Sequence, residues 1–243
     1  GVDIGDEMAD GADENGSGPP ADRPPAVVQR DELIAPVVTT LSRRLKRTLQ
    51  DTQNDMLDHL RSNGSQWSAA VLPVETEQVD GLTTAVLPVL EEAAEAGVSF
   101  AGAQSATPST NAIVAIAHGL AEEVVGPLRR RLSADGGVTE AGEAAAVEHV
   151  GAAFREWRGP RIERLAGDYV VAAFSLGSVT AVQRDRDGRL EWVSVPGSGD
   201  APCPDCEDNG LAGPQPPGDE FPTGHRHPPA HSGCRCLVAP VAS

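Results

Sequence analysis

Four cysteines, all lying between positions 203 and 236, constrain this chain more than any other feature. They stand as Cys203-Pro-Asp-Cys206 and, beyond a Pro/Gly/His-rich stretch, as His231-Ser-Gly-Cys234-Arg-Cys236. Two close thiol pairs joined by a loop are what a tetrahedral metal site requires, because each pair chelates from one tight turn and the loop closes the ring. Disulfides and free thiols are the competing readings. No basic-then-apolar leader opens the chain, which disfavours disulfides, and the paired spacing disfavours free thiols. The expectation is a zinc ion held by Cys203, Cys206, Cys234 and Cys236, with His231, His225 or His227 as the replacement for one thiolate. The Cys-x-Cys pair is tighter than the usual knuckle, but in an extended segment positions 234 and 236 face the same way. Four protein ligands leave no open position, so the ion would be structural, and folding of the loop would depend on it by about 10 kcal/mol. Pro228-Pro229 argues for an extended chain that keeps the three imidazoles from converging. They are read as loop residues that bond to backbone or flank the site.

The rest of the chain reads as mainly α. Aromatic residues make up only 3% of it, and Ala and Val supply much of its apolar content. Such small side chains suit closely packed helices better than a sandwich or barrel. Residues 1–27 hold seven acids against one base and read as a disordered acidic linker, a partner-binding tail being the alternative. From Val28 to Leu60 the residues Ile34, Val38, Leu41, Leu45, Leu49, Thr52, Met56 and Leu60 recur at steps of three and four. That stripe predicts one long amphipathic helix in a bundle, or a self-associating coil, ending at Asn63-Gly64. Further helices are expected at about 76–96, kinked at Pro88, and at 110–133 and 139–158, with a loop over 97–109. The run from Ile162 to Phe174 is spaced mostly as a helix, though Tyr169-Val-Val allows a strand. After Gly177 the texture turns extended. Leu190–Val195 alternates as a strand, and 235–241 supplies its partner, giving a hairpin-like pair with the metal loop between its strands. The expected organisation is a linker (1–27), a helical docking or oligomerisation region (28–100), and a C-terminal domain (101–243) whose metal module spans about 190–241.

Charge and motif content narrow the function classes. A net charge of −17 argues against broad binding to nucleic-acid phosphates. No 18-residue apolar run is seen, so no membrane helix is expected. The chain opens on Gly rather than Met, which suits a processed product or part of a longer fused chain. No Gly-x-Ser-x-Gly elbow, His-Glu-x-x-His or phosphate-binding Gly loop occurs. His118 and His149 fall in helical stretches, and the pairs Glu91-Glu92 and Glu122-Glu123 read as solvated helix faces. An enzyme is not expected.

The run Trp192-Val-Ser-Val-Pro-Gly-Ser-Gly-Asp200-Ala-Pro-Cys203-Pro-Asp-Cys206-Glu-Asp-Asn-Gly210, followed by Phe221-Pro222, His227-Pro-Pro-Ala-His231 and Cys234-Arg-Cys236, resembles the C-terminal signature of the phage Mu F-like head-morphogenesis proteins. A Trp-bearing strand, an acid ahead of Cys-x-x-Cys, a Gly, Pro/His and a Cys-Arg-Cys ending carry the likeness, which covers roughly 110–241. The resemblance implies a minor capsid protein of a tailed phage or prophage, acting at the portal vertex in head assembly or in DNA packaging and ejection. It implies the portal protein, and the major capsid protein, as partners, repetition around the portal ring, residence in the virion after assembly in the host cytoplasm, and no catalysis. The competing classes are a zinc-ribbon module that binds nucleic acid or a partner, which would need basic residues where Asp205, Glu207, Asp208, Asp219 and Glu220 stand, and a capsid-maturation enzyme.

Overall fold

The computed structural model describes residues 23–62, 72–103, 106–133, 142–157, 159–196 and 203–241. Among them are six helices and two strands: α1 (Pro25–Ser62), α2 (Glu75–Phe100), α3 (Thr110–Ser133), α4 (Glu143–Arg155), α5 (Pro160–Val182), β1 (Leu190–Val193), α6 (Pro204–Leu211) and β2 (Leu237–Pro240). The chain is mainly α, with one antiparallel strand pair near its C-terminus. Residues 1–22, the Asn63-Gly64 stop, the start expected at 139–141 and the acid at Asp200 lie outside the described residues.

The apolar stripe of α1 faces inward. Ile34, Val37, Leu41, Leu45, Leu49, Met56 and Leu60 are buried, and they share one core with residues of α2 to α5. The stripe therefore has no free face for a self-associating coil, and residues 28–100 are not walled off from those that follow. Two positions differ from the expected seam. Val37 and Gln53 are buried while Val38 and Thr52 are only half-buried, because the true period of 3.6 drifts relative to a near-heptad count. The helix also begins at Pro25, inside the expected linker, and Val27 is fully buried.

Two glycines read as breakers do the opposite. Helix α2 runs on through Gly97 to Phe100, and α5 runs on through Gly177 to Val182. A Cβ at Gly97 would lie 1.9 Å from the Phe174 carbonyl oxygen, and one at Gly177 would lie 2.0 Å from that of Ala94. The two helices thus touch backbone to backbone, and the Ser178 hydroxyl lies 3.2 Å from the carbonyl oxygens of both Gly97 and Phe174.

Helix α5 is long and apolar enough to cross a membrane by length and composition. Its apolar window is 78% buried inside the protein, however. It packs against α1, α2, α3 and β2, and that central position accounts for its apolarity without a lipid phase. Beyond α5 the strands pair with Leu190 opposite Pro240, Trp192 opposite Val238 and Val193 opposite Leu237. Strand β2 straddles two cores. Leu237 and Ala239 belong to the bundle, while Val238 joins Trp192, Phe221, Cys206, Cys234 and Cys236 in a small second cluster.

Candidate metal centre

Helix α6, which the sequence pattern did not predict, presents the first thiol pair. Cys203 is its N-cap: the Cys206 backbone N–H donates to the Cys203 sulfur at 3.4 Å, and Pro204 occupies the first turn, where a missing N–H costs nothing. The second pair arrives on the segment entering β2. The strand pairing of β1 with β2 brings the two ends of the loop together.

All four cysteines and His231 meet between these elements. The donor atoms of Cys203, Cys206 and His231 lie within 4.8 Å of one another, and so do those of Cys206, Cys234 and Cys236. Cys206 is common to both groups. Its sulfur lies 3.8 Å from that of Cys234, which matches the edge, roughly 3.8 Å, of a tetrahedron with metal–sulfur bonds of about 2.3 Å. His231 Nε2 lies 3.1 Å from the Cys203 sulfur and 3.3 Å from that of Cys206. Its Nδ1 is 3.0 Å from the Ser232 carbonyl oxygen. Donating there leaves the Nε2 lone pair facing the sulfurs, the orientation a metal-binding imidazole needs. His225 and His227 do not join the cluster: Nδ1 of the first contacts the Thr223 hydroxyl, and Nδ1 of the second the Pro228 carbonyl. The Pro228–Pro229 peptide is cis rather than part of an extended run, and only His231 of the three reaches the thiols.

Hydrogen bonding from the Cys236 thiol holds Cys234 down at about 5 against its burial, and the same bond pushes Cys236 upward. Burial pushes Cys206 up to about 12. At Cys203 burial is the largest single influence and raises the thiol, but the hydrogen bonds from Cys206 and the nearby His231 together outweigh it, so the thiol lies below the ordinary value. The sulfurs are too close to ionise together without a cation among them. A metal ion held here would supply that charge, and the donor set of thiols and one imidazole could hold one. Backbone N–H groups already face two of the sulfurs, Cys206 N–H to Cys203 and Val195 N–H to Cys236 at 3.5 Å.

Two residues not singled out in the sequence fasten this centre to the bundle. Asp168, buried on α5, accepts from the Gly233 N–H at 3.0 Å, from the Ser232 hydroxyl at 3.3 Å and from Arg235 Nη1 at 2.6 Å. Gly167 beside it leaves room for the guanidinium, since a Cβ there would lie 2.5 Å from Arg235 Nη2. Arg30, fully buried on α1, donates to the carbonyls of Cys236 at 3.1 Å and Arg235 at 2.8 Å, and it ion-pairs with Asp31 at 2.7 Å. Within the module, the buried amide of Asn209 bonds to the Thr223 hydroxyl and accepts from the Thr223 N–H. The loop partners of Asp168 and Arg30 sit 64 to 206 positions away in sequence, and no local pattern announces them. The Asp168→Asn variant should weaken metal retention by about 10-fold or more, because it loosens the loop carrying His231 and Cys234. A competition titration with a chromogenic chelator measures this, and unchanged retention would detach Asp168 from the centre.

No protein-family model, curated protein or solved structure matches this chain.

Proposed function

We propose that the chain is a structural, non-catalytic head protein of a tailed phage or prophage, whose C-terminal module is stapled by zinc. The single observation that carries the metal half of this reading is the convergence of four thiols and one imidazole from a Cys-x-x-Cys helix cap and a His-x-x-Cys-x-Cys loop. Cys203, Cys206, Cys234 and Cys236 are the ligand set, with His231 against the first pair. When bound, the ion neutralises the crowded thiolates and cross-links α6 to the entry of β2. The residues of the chain do the rest. Asp168 and Arg30 hold the loop on the bundle, Asn209 closes the turn behind α6, and Trp192 packs edge-on against Phe221 with ring centroids 5.2 Å apart. A closed set of ligands supports a structural ion over a catalytic one.

The role in the head rests on the likeness of residues 192–236 to the Mu F-like signature, together with surface charge. Asp205, Glu207 and Asp208 are exposed on α6, beside the very cysteines that in a nucleic-acid-binding knuckle would be flanked by basic residues. A protein of net charge −17 does not adhere to packaged DNA, which suits a component that stays at the portal vertex or leaves through it. The portal protein is the proposed partner, with the major capsid protein second, and the chain is proposed to repeat around the portal ring within the virion.

A protein inventory of purified, DNA-filled particles tests this role. The chain is expected there at a copy number comparable to that of the portal. Its absence from particles, with abundance only as a free protein, would remove the capsid role and leave the metal-stapled scaffold.

A further inference from the structure

One surface of the bundle runs against the overall charge. Arg43, Arg44, Lys46 and Arg47 stand together on α1, and Thr40, Arg43, Arg44 and Arg47 line a shallow open depression. Lys46 pairs with Glu163 at 2.9 Å, and Arg47 has Asp51 at 4.0 Å. Among the described residues no carboxylate pairs with Arg43 or Arg44. Guanidinium groups present rigid forks of N–H donors that match carboxylates two at a time. Three of them on neighbouring turns make a local positive field in an otherwise acidic protein.

The sequence contains its complement. Residues 1–22 carry Asp3, Asp6, Glu7, Asp10, Asp13, Glu14 and Asp22 and no Lys or Arg. They join the bundle at Pro25, where α1 begins. Arg43 lies roughly 27 Å along the helix from that point, at 1.5 Å per residue. The stretch from Asp13 to Pro25 can span up to about 40 Å, so Asp13, Glu14 and the acids before them can reach the depression. A tethered segment acts at an effective concentration in the millimolar range. A second copy has no such advantage and must overcome the repulsion between two chains of net charge −17. The same net charge disfavours nucleic-acid phosphates.

We infer that the arginine face of α1 is the docking surface for the chain's own acidic segment, residues 1–22. The contact is ionic, is screened over about 8 Å at physiological salt, and is released as ionic strength rises. It leaves the arginines available to a competing acidic surface only when the segment is displaced.

Lys46 provides the test, since it is the only lysine in the chain and lies among these arginines. Carbodiimide coupling joins a carboxylate to an amine without a spacer, so its products on the chain of residues 1–243 report what sits beside Lys46. The expected products at low salt are the Lys46–Glu163 link and links from Lys46 to acids of residues 1–22 within one chain. In the triple variant Arg43→Glu, Arg44→Glu, Arg47→Glu the second class should fall by about tenfold, while the Lys46–Glu163 link persists and shows that the bundle is intact. Absence of links to residues 1–22 in the native chain overturns the inference, as does their persistence in the triple variant. Links found only in covalent dimers also overturn it and assign the surface to a second copy.

Discussion

The Cys206→Ser variant is expected to lose its metal and to open the C-terminal module while the helical bundle stays folded. Cys206 is shared by both donor groups and is almost fully buried, so no neighbouring thiol can take over its position without moving α6. Structural zinc contributes on the order of 10 kcal/mol to folding of small modules. The second core has little else to replace it: Val179, Val182, Leu190, Trp192, Phe221 and Val238 are its buried apolar side chains apart from the cysteines. The bundle has its own much larger core across α1 to α5. Far-UV circular dichroism should therefore change little, while Trp192 emission shifts to the red as its burial against Phe221 is lost. Because the ligands must shed protons to bind, the native chain should show the same red shift on acidification, as protons compete for the sulfurs, and should recover when neutralised with zinc. A Cys206→Ser chain with Trp192 still buried and its remaining thiols unreactive would count against the staple.

The second large effect lies far from the cysteines. At Gly97→Ala the added methyl would sit 1.9 Å from a backbone oxygen of α5, and no side-chain rotation can relieve that overlap. The helices must separate, and the packing between them is lost along their length. Replacing Gly by Ala inside a helix ordinarily gains about 1 kcal/mol, but overpacking against rigid backbone costs about 3 kcal/mol or more, so the clash wins. Gly81→Ala in the same helix makes the matched control, since a Cβ there meets nothing within 4 Å. That variant should stabilise the protein by about 0.5–1 kcal/mol. Urea midpoints followed by circular dichroism should move in opposite directions for the two variants, and a shared direction would refute the backbone-to-backbone crossing.

These two effects differ in how far the sequence announces them. The thiol spacing is a local signal with few meanings, and it pointed to one site for all four cysteines, whereas it offered His231, His225 and His227 alike as substitutes and only His231 reaches the thiols. The helical character of the bundle was equally legible, because the α1 stripe repeats over many turns. Gly97 and Gly177 misled because glycine ends helices by default, whereas here its missing side chain is what lets α2 and α5 meet. Helix α6 was invisible because its eight residues hold no apolar period; only Cys203 followed by Pro204 resembles a helix start. Asp168 and Arg30 could not be found at all, since their partners lie 65 and 206 positions away and their burial exists only once α1, α5 and the loop are assembled.

The metal content of the native chain, measured by elemental analysis against protein concentration and repeated after exhaustive chelation, bears most directly on the central claim. The account predicts one zinc per chain as isolated. It also predicts that removing the zinc makes all four thiols reactive and exposes Trp192. A chain that is folded, metal-free and unreactive at its cysteines, with Trp192 buried throughout, would contradict it.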